Sequence, residues 1–169
     1  MKDKISADEM LARIKQHWPT DYHHVHELTI YLFRVRELAL CQCNEDMKRF
    51  GLSSTEFDVL AALRNSPKPY VLTPKAVQQS MLITSGGLTK ILYELERRKL
   101  ITRSVQDHDK RSKLVHLTQA GQELVEQSME AILKYDNEWI SEVLEEGELK
   151  QLSTLLGKLN NRLEQRLFE

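Results

Sequence analysis

LITSGGLTKILYELERRKLITRSVQDHDKRSKLVHLT, residues 82–118, is the stretch that decides the fold. Thr84 or Ser85 can begin a helix, because a hydroxyl there accepts hydrogen bonds from the backbone N–H groups of the first turn. From Leu88 onward, apolar residues recur at steps of three and four residues, which predicts an amphipathic helix. After Leu100, short β-prone runs flank the polar segment 106–112 and predict two strands joined by a charged loop. The stretch therefore predicts a helix followed by a two-stranded wing.

Positive charge is concentrated in this stretch. Residues 90–115 contain eight Lys or Arg and four Asp or Glu, a local charge of +4, in a chain whose net charge is −1. The helix opens with small residues that allow close approach to a DNA duplex, namely Ser85, Gly86, Gly87 and Thr89. Taken alone, such a helix is more often an ordinary amphipathic helix with solvated charges, so the neighbouring elements decide between the two interpretations.

The composition indicates one compact domain, or a small domain with helical extensions. The chain has 169 residues, of which 41% are hydrophobic and 29% charged, enough to bury a single core. Without a long apolar run or a signal-peptide pattern, it is expected to be cytoplasmic and to have no membrane contact. It also lacks the nucleotide-binding loops, nucleophile motifs and metal-ligand boxes of enzymes, so we expect neither an enzyme nor a cofactor.

Before the opening stretch, the sequence predicts a short arm and three helices. Residues 1–20 carry apolar residues at near-helical spacing, which fits an N-terminal arm or short helix. A long first helix follows over residues 21–50, with Asp21 as the capping candidate. Ser53 and Glu56 then form a capping box for a second helix.

The third helix completes a helix-turn-helix. Thr73 can cap it and Pro74 suits its first position, and the helix is expected to end near Ser80. Only residues 81–84 then separate it from the helix of the opening stretch, the spacing of a helix-turn-helix whose second member reads the major groove. Short connections are also common in helical bundles, so the spacing permits this geometry without proving it.

Two further helices are predicted after the wing. Thr118 can cap the first, and Gly147 is expected to separate it from the last. Leucines recur along the last helix at helical steps and predict a dimer contact at Leu152, Leu156, Leu159 and Leu163. Residues 119–169 contain five basic and eleven acidic side chains, a charge of −6, so this end should point away from nucleic acid.

Cysteines and histidines give weaker signals. Cys41 and Cys43 are too few and too close for a disulfide framework, and a reduced structural role is favoured over a redox-sensing thiol. His23 and His26 share a helix face, but without further ligands at suitable spacing they are interpreted as capping or solvated residues, not as a metal site.

The order of elements and three segments resemble the MarR (multiple antibiotic resistance regulator) family of winged-helix regulators. LSSTEFDVL at residues 52–60 resembles the family's second helix, and LERRKLI at 95–101 resembles its "LExxGLI" passage. DKRSKLVHLT at 109–118, followed by Gly121, is similar to the more specific signature "DxRxxxVxLT". Lys99 stands where a glycine is common, so the helix end is expected to be capped otherwise. The likeness covers about residues 22–168.

The resemblance implies specific DNA-contacting residues. Ser85, Gly86, Thr89 and Lys90 match positions of the recognition helix that face DNA, and Arg111, next to Lys110, matches the arginine that the wing places near a minor groove. Asp109 is the candidate to hold the wing loop by an ion pair with Arg111, although a surface pair without energetic consequence is the alternative.

The resemblance also implies an assembly and a mode of regulation. We expect a homodimer on a pseudo-palindromic double-stranded DNA operator, with residues 21–50 and 119–169 forming the dimerisation region and residues 51–118 the DNA-binding lobe. A ligand-responsive repressor with a small aromatic effector is the favoured function. Tyr31, Tyr135 and Trp139 are candidates to line the effector pocket, although such aromatics are more often core. The alternatives are a winged-helix protein interaction module and a redox-responsive regulator using Cys41 and Cys43.

Overall fold

Seven helices and three short strands make up the described part of the chain. The computed structural model describes residues 4–20, 22–81, 87–106 and 109–168, without the side chains of residues 105–112. The elements are α1 Ala7–His17, α2 His24–Arg49, α3 Ser54–Arg64, β1 Val71–Leu72, α4 Pro74–Ser80, α5 Leu88–Arg97, β2 Ile101–Gln106, β3 Asp109–Leu117, α6 Gln119–Ser141 and α7 Glu146–Phe168. The predicted fold class, mainly α with a small β-wing, is confirmed.

Local capping explains where the helices before the wing begin. Ser53 accepts a hydrogen bond from the backbone N–H of Glu56, and the Glu56 carboxylate accepts one from the backbone N–H of Ser53, so the predicted capping box of α3 is present. Thr73 caps α4 with Pro74 at its first position, as predicted.

Helix α2 begins with a histidine cap. His23 is its N-cap residue, and the His26 ring accepts a hydrogen bond from the backbone N–H of His23. The predicted cap, Asp21, lies outside the described residues. The histidine pair therefore has the capping role that was favoured for it.

The wing contains more regular structure than the sequence indicated. The sheet is antiparallel in the order β1-β3-β2, and the unpredicted strand β1 pairs Val71 with His116. Strand β3 begins at Asp109, so residues 109–112 of the segment predicted as a loop belong to a strand, and Asp109 pairs with Gln106. The prediction failed here because backbone pairing in a hairpin needs no apolar side chains, and alternation of polar residues carries no strand signal. The strand register shifts between Val105 and Gln106.

Residues 1–125 form one compact unit and contain the core. Aliphatic side chains from α3, α4, α5 and the wing strands fill it, with Leu60, Leu63, Val77, Leu95, Ile101 and Val115 fully buried. The buried stripe of α5 therefore fixes which face of this helix remains exposed.

Residues 126–169 form a second compact unit. Gly147 lies inside α7 and does not separate the two helices, because α6 ends at Ser141 and α7 begins at Glu146. A single glycine in the first turn of a helix costs too little to stop the helix. None of the described residues of α7 is buried within the single chain. No helix in the described ranges is long and apolar enough to cross a membrane.

Candidate nucleic-acid interface

Helix α5, the candidate recognition helix, begins later than predicted. Its N-cap is Gly87, whose φ of 110° lies in the left-handed region, and the helix starts at Leu88. A continuous helix from Thr84 or Ser85 would require Gly87 to be helical, which its φ excludes. Ser85 and Gly86 lie outside the described residues, so their predicted contacts with DNA stay predictions.

The fold exposes the side of α5 that carries the predicted contacts. Thr89 and Lys90 are exposed, while Leu92 and Leu95 on the opposite side are buried. The helix is thus held by its apolar stripe and presents a hydroxyl and an ammonium group to solvent. Such groups donate to phosphate oxygens and to acceptors on base edges.

An ion pair fixes the C-terminal end of α5 to α3. Arg98 Nη1 lies 3.1 Å from Glu56 Oε1, and both side chains are largely buried, with 26% and 13% exposure. Glu56 therefore has two roles, since its other oxygen completes the capping box of α3. Sequence reasoning identified the cap and missed the ion pair, because the partner lies 42 residues away.

A second ion pair joins α5 to the wing. Arg103 on β2 donates from Nε to Glu96 Oε2 at 2.8 Å, and its Nη2 contacts the same oxygen. The hydrogen bonds from Arg103 hold the pKa of Glu96 below its ordinary value of 4.5, and the carboxylate raises the pKa of Arg103. The recognition helix is thereby tied both to α3 and to the first wing strand.

The C-terminal end of α5 is capped by a left-handed residue although Lys99 replaces the usual glycine, so the expectation of a different cap was wrong. Its φ is 61°, and the backbone N–H groups of Lys99 and Leu100 donate to Glu96 O at 2.9 Å and Leu95 O at 3.0 Å. These two bonds form a Schellman motif, which normally uses glycine at this position. Lysine adopts the same conformation because the flanking Leu95 and Leu100 are buried and fix the backbone.

Thr118 and Gly121 join the end of the wing to the start of α6. The Thr118 hydroxyl donates to Leu100 O at 2.9 Å and accepts from the backbone N–H of Gly121 at 3.1 Å, so it caps α6 as predicted. The backbone N–H of Thr118 also donates to Leu100 O, at 3.1 Å. Gly121 lies so close to this carbonyl that an added Cβ would be 2.1 Å from its oxygen. Thr118 and Gly121 thus pack against the backbone of Leu100, between the end of α5 and the wing.

The wing residues are described only by their backbone. Asp109, Lys110 and Arg111 belong to β3, which pairs with β2. Their side chains lie outside the described part of the structure. The Asp109–Arg111 ion pair and the groove contact of Arg111 therefore stay predictions.

The leucines predicted to form a dimer contact are partly solvent-exposed. Leu152, Leu159 and Leu163 have 43%, 44% and 55% of their surface exposed, and Leu156 is half-buried. Helix α2 also exposes large apolar side chains, among them Val25, Leu28, Leu32, Phe33 and Val35. Apolar stripes of this size on a single chain are typical of an interface.

The aromatic candidates are not core residues in the single chain. Tyr31 and Tyr135 are exposed and Trp139 is half-buried. Tyr31 donates to Asp8 on α1 at 2.6 Å, which raises the pKa of its hydroxyl. Trp139 donates to Asp136 at 3.1 Å. Tyr31 and Tyr135 are thus not core residues of one chain, and the role of all three aromatics towards an effector stays a prediction.

Cysteines and metal-binding groups add no site in the described part of the chain. Cys41 is exposed, Cys43 is half-buried, and neither forms a disulfide there. No group of three or more His, Cys, Asp or Glu residues suited to a metal ion occurs among the described residues.

Asp58 on α3 is a feature that the sequence analysis missed. One of its carboxylate oxygens is buried and has no hydrogen-bond partner within the described residues. Burial raises the pKa of Asp58 above its ordinary value of 3.8. The sequence holds no signal for it, since a carboxylate within an amphipathic helix is usually solvated.

Comparisons with known proteins agree with this architecture. The sequence model of the MarR family matches residues 50–112. An uncharacterised HTH-type transcriptional regulator of Bacillus cereus is 30% identical over 123 residues, which cover 73% of this chain and 80% of the relative. The HTH-type transcriptional regulator PecS of Dickeya dadantii is 31% identical over 115 residues, 68% of this chain and 69% of that protein.

A solved structure with DNA shares the fold. The structure of the S. aureus MepR–DNA complex has a TM-score of 0.67 and 26% sequence identity, and the match covers 78% of this chain and 96% of MepR. These relatives are transcriptional regulators and not enzymes. The chain belongs to the MarR family of winged-helix, DNA-binding transcriptional regulators.

Proposed function

We propose that this protein is a ligand-responsive repressor that binds a pseudo-palindromic operator as a homodimer. The observation that carries the proposal is the exposed side of α5. Thr89 and Lys90 face solvent on a helix whose opposite side is buried and whose C-terminal end is fixed by the Arg98–Glu56 pair. A rigidly held helix with exposed donors suits base and phosphate contacts in a major groove.

The charge distribution supports the same use of the molecule. Residues 90–115 have a charge of +4 and residues 119–169 a charge of −6. Phosphates therefore attract the segment that contains α5 and the wing, and they repel the C-terminal segment. Arg111 and Lys110 on the wing are proposed to add contacts near a minor groove, where negative potential is strongest.

The exposed leucines of α7 support the homodimer. None of the described residues of α7 is buried in its own chain, so the apolar side of this helix stays in contact with solvent. A second copy of the chain can cover this apolar surface. A dimer also presents two copies of α5, which matches the two half-sites of an inverted repeat.

Regulation is proposed to act on the arrangement of the two recognition helices. A small aromatic effector weakens DNA binding if it binds the DNA-incompetent arrangement more tightly than the competent one. The coupling free energy between two such binding sites is typically about 1–3 kcal/mol. Tyr31 and Tyr135 are exposed and Trp139 is half-buried in the single chain, so each ring is accessible to such a ligand.

The first experiment selects bound fragments from random DNA with the purified protein. The expected result is an inverted repeat whose affinity falls steeply between low and high salt, because bound Lys and Arg release counterions from the phosphates. Lack of enrichment above non-specific binding would refute the regulator and favour the protein interaction module.

Alanine substitutions test the assigned contacts. Thr89→Ala, Lys90→Ala and Arg111→Ala are each expected to weaken operator binding without loss of the dimer, and the lysine and arginine variants should also lower the salt dependence. Lys134→Ala is the matched control, because it removes one positive charge from an exposed position in the second unit. Unchanged affinity in all three test variants would refute the assignment.

Charge substitutions test the dimer contact. Leu159→Asp with Leu163→Asp places two charges on the leucine stripe and is expected to give monomers by light scattering, since isolated charges are costly to bury. Asn161→Asp with Gln165→Asp adds the same charge at exposed positions about half a turn around α7 and serves as control. A stripe variant that remains dimeric contradicts the α7 interface.

A further inference from the structure

We propose that Tyr93 is a further specificity-determining residue of this regulator, and that its ring contacts the methyl group of a thymine in the major groove. The proposal rests on the DNA binding proposed above and deepens it. It assigns to the second turn of α5 a preference for one base, in addition to the contacts of Thr89 and Lys90.

The position of Tyr93 on α5 carries the proposal. Thr89, Tyr93 and Arg97 follow one another at steps of four residues, so each lies about 6 Å further along the helix and about 40° around it. Lys90 lies about 100° from Thr89 around the helix axis, so Tyr93 lies between these two residues on one exposed arc of α5. All four side chains are exposed. Tyr93 is therefore in the middle of the surface that a docked duplex would meet.

Tyr93 is a large apolar side chain of α5 that remains exposed, unlike the leucines of the same helix. Tyr93 has 62% of its surface exposed, whereas Leu92 and Leu95 pack into the core. A single exposed aromatic is common on protein surfaces and proves nothing alone. Here the ring stands on the same exposed arc as a threonine and two cations, where solvation alone would favour a polar residue.

The neighbouring Arg97 is held to one side by its own helix. Its guanidinium donates from Nε to Glu94 Oε2 at 3.0 Å and from Nη2 to Glu94 Oε1 at 2.6 Å, which is a bidentate pair. This pair neutralises a cation at the C-terminal edge of the exposed arc. Tyr93 is then the largest side chain between Thr89 and that pair.

The chemistry of the ring selects the contact. Thymine alone among the four bases presents a methyl group in the major groove, and apolar side chains recognise it by contact. A tyrosine ring has few rotatable bonds, so ordering it costs little entropy compared with a long flexible side chain. The hydroxyl can donate to a phosphate, but that contact would carry no sequence information.

The test replaces each thymine of the selected operator by uracil, which removes only the methyl group. For the wild-type dimer, one thymine in each half-site is expected to be sensitive, with a loss of roughly fourfold per methyl contact. Tyr93→Ala should weaken binding to the thymine operator and should no longer distinguish uracil from thymine at that position. Tyr93→Phe should keep the distinction, because it keeps the ring.

Trp18→Ala is the matched control, since it removes an aromatic side chain that is 64% exposed and lies outside α5 and the wing. The proposal is overturned if Tyr93→Ala binds as the wild type does, or if it weakens binding while the thymine–uracil difference is unchanged. These results leave the regulator proposal standing as long as the wild type still selects an operator. If the wild type selects no operator, the regulator proposal itself fails.

Discussion

Replacing Gly121 by alanine tests the close packing of the first turn of α6 against the backbone of Leu100. The added Cβ would lie 2.1 Å from Leu100 O, 2.9 Å from Leu117 Cδ1 and 3.0 Å from Leu100 C. Ordinary contacts between carbon and carbonyl oxygen are about 3.3 Å or longer, so the backbone must separate by about 1 Å. The carbonyl atoms of Leu100 are main chain and cannot yield by a side-chain rotation, whereas Cδ1 of Leu117 is the end of a side chain and can.

The expected destabilisation is about 2 kcal/mol. Overpacking of this kind costs about 1–3 kcal/mol. The displacement also weakens two hydrogen bonds from Thr118 to Leu100 O, and each contributes about 1 kcal/mol. Against these terms, alanine is favoured over glycine in a helix by about 1 kcal/mol. For a chain of this size the melting temperature should fall by about 4–8 °C.

The assay is thermal unfolding followed by circular dichroism at one fixed protein concentration, because dimerisation makes the melting temperature concentration-dependent. Gly147→Ala is the control, since a Cβ at that helical position meets nothing within 4 Å. The control should be as stable as the wild type or slightly more stable. If Gly121→Ala melts at the same temperature as the control, the close approach to Leu100 does not constrain the protein.

Three further predictions concern the same region. Lys99→Gly should raise the free energy of unfolding by about 0.5–1 kcal/mol in urea titration, because glycine adopts a φ of 61° without the strain of a side chain; equal or lower stability would contradict this. Thr118→Val should lower it by about 1–2 kcal/mol, since the hydroxyl both caps α6 and donates to Leu100 O, and an unchanged urea midpoint would refute the role. Glu96 has a lowered pKa, so its pairing with Arg103 stabilises the fold above pH 4.5 and is lost as the pH falls through the folded-state pKa. Arg103→Met should therefore be less stable than the wild type at neutral pH, with a difference that shrinks in acid; a pH-independent difference would refute the pairing.

The sequence alone determined the local features of this protein. The caps at Ser53 and Thr73 follow from residues within one helical turn, so the starts of α3 and α4 are predictable from neighbours in the chain. The apolar period identified the buried side of α5, because a helix must hide its stripe to fold. The signature in the wing was specific enough to identify the family.

Tertiary structure decided the features that depend on distant residues or on space. Only the fold brings Arg98 to Glu56, places β1 beside β3 and leaves no room for a Cβ at Gly121. The start of α5 at Leu88 depends on the left-handed conformation of Gly87, which a local pattern of hydroxyl residues does not reveal. The exposure of Tyr93 is likewise a result of packing. From sequence alone an aromatic residue in an amphipathic helix is expected in the core, and only the fold shows which side of the helix is buried. A sequence records which neighbours share a turn, whereas contacts across the fold depend on how the elements pack.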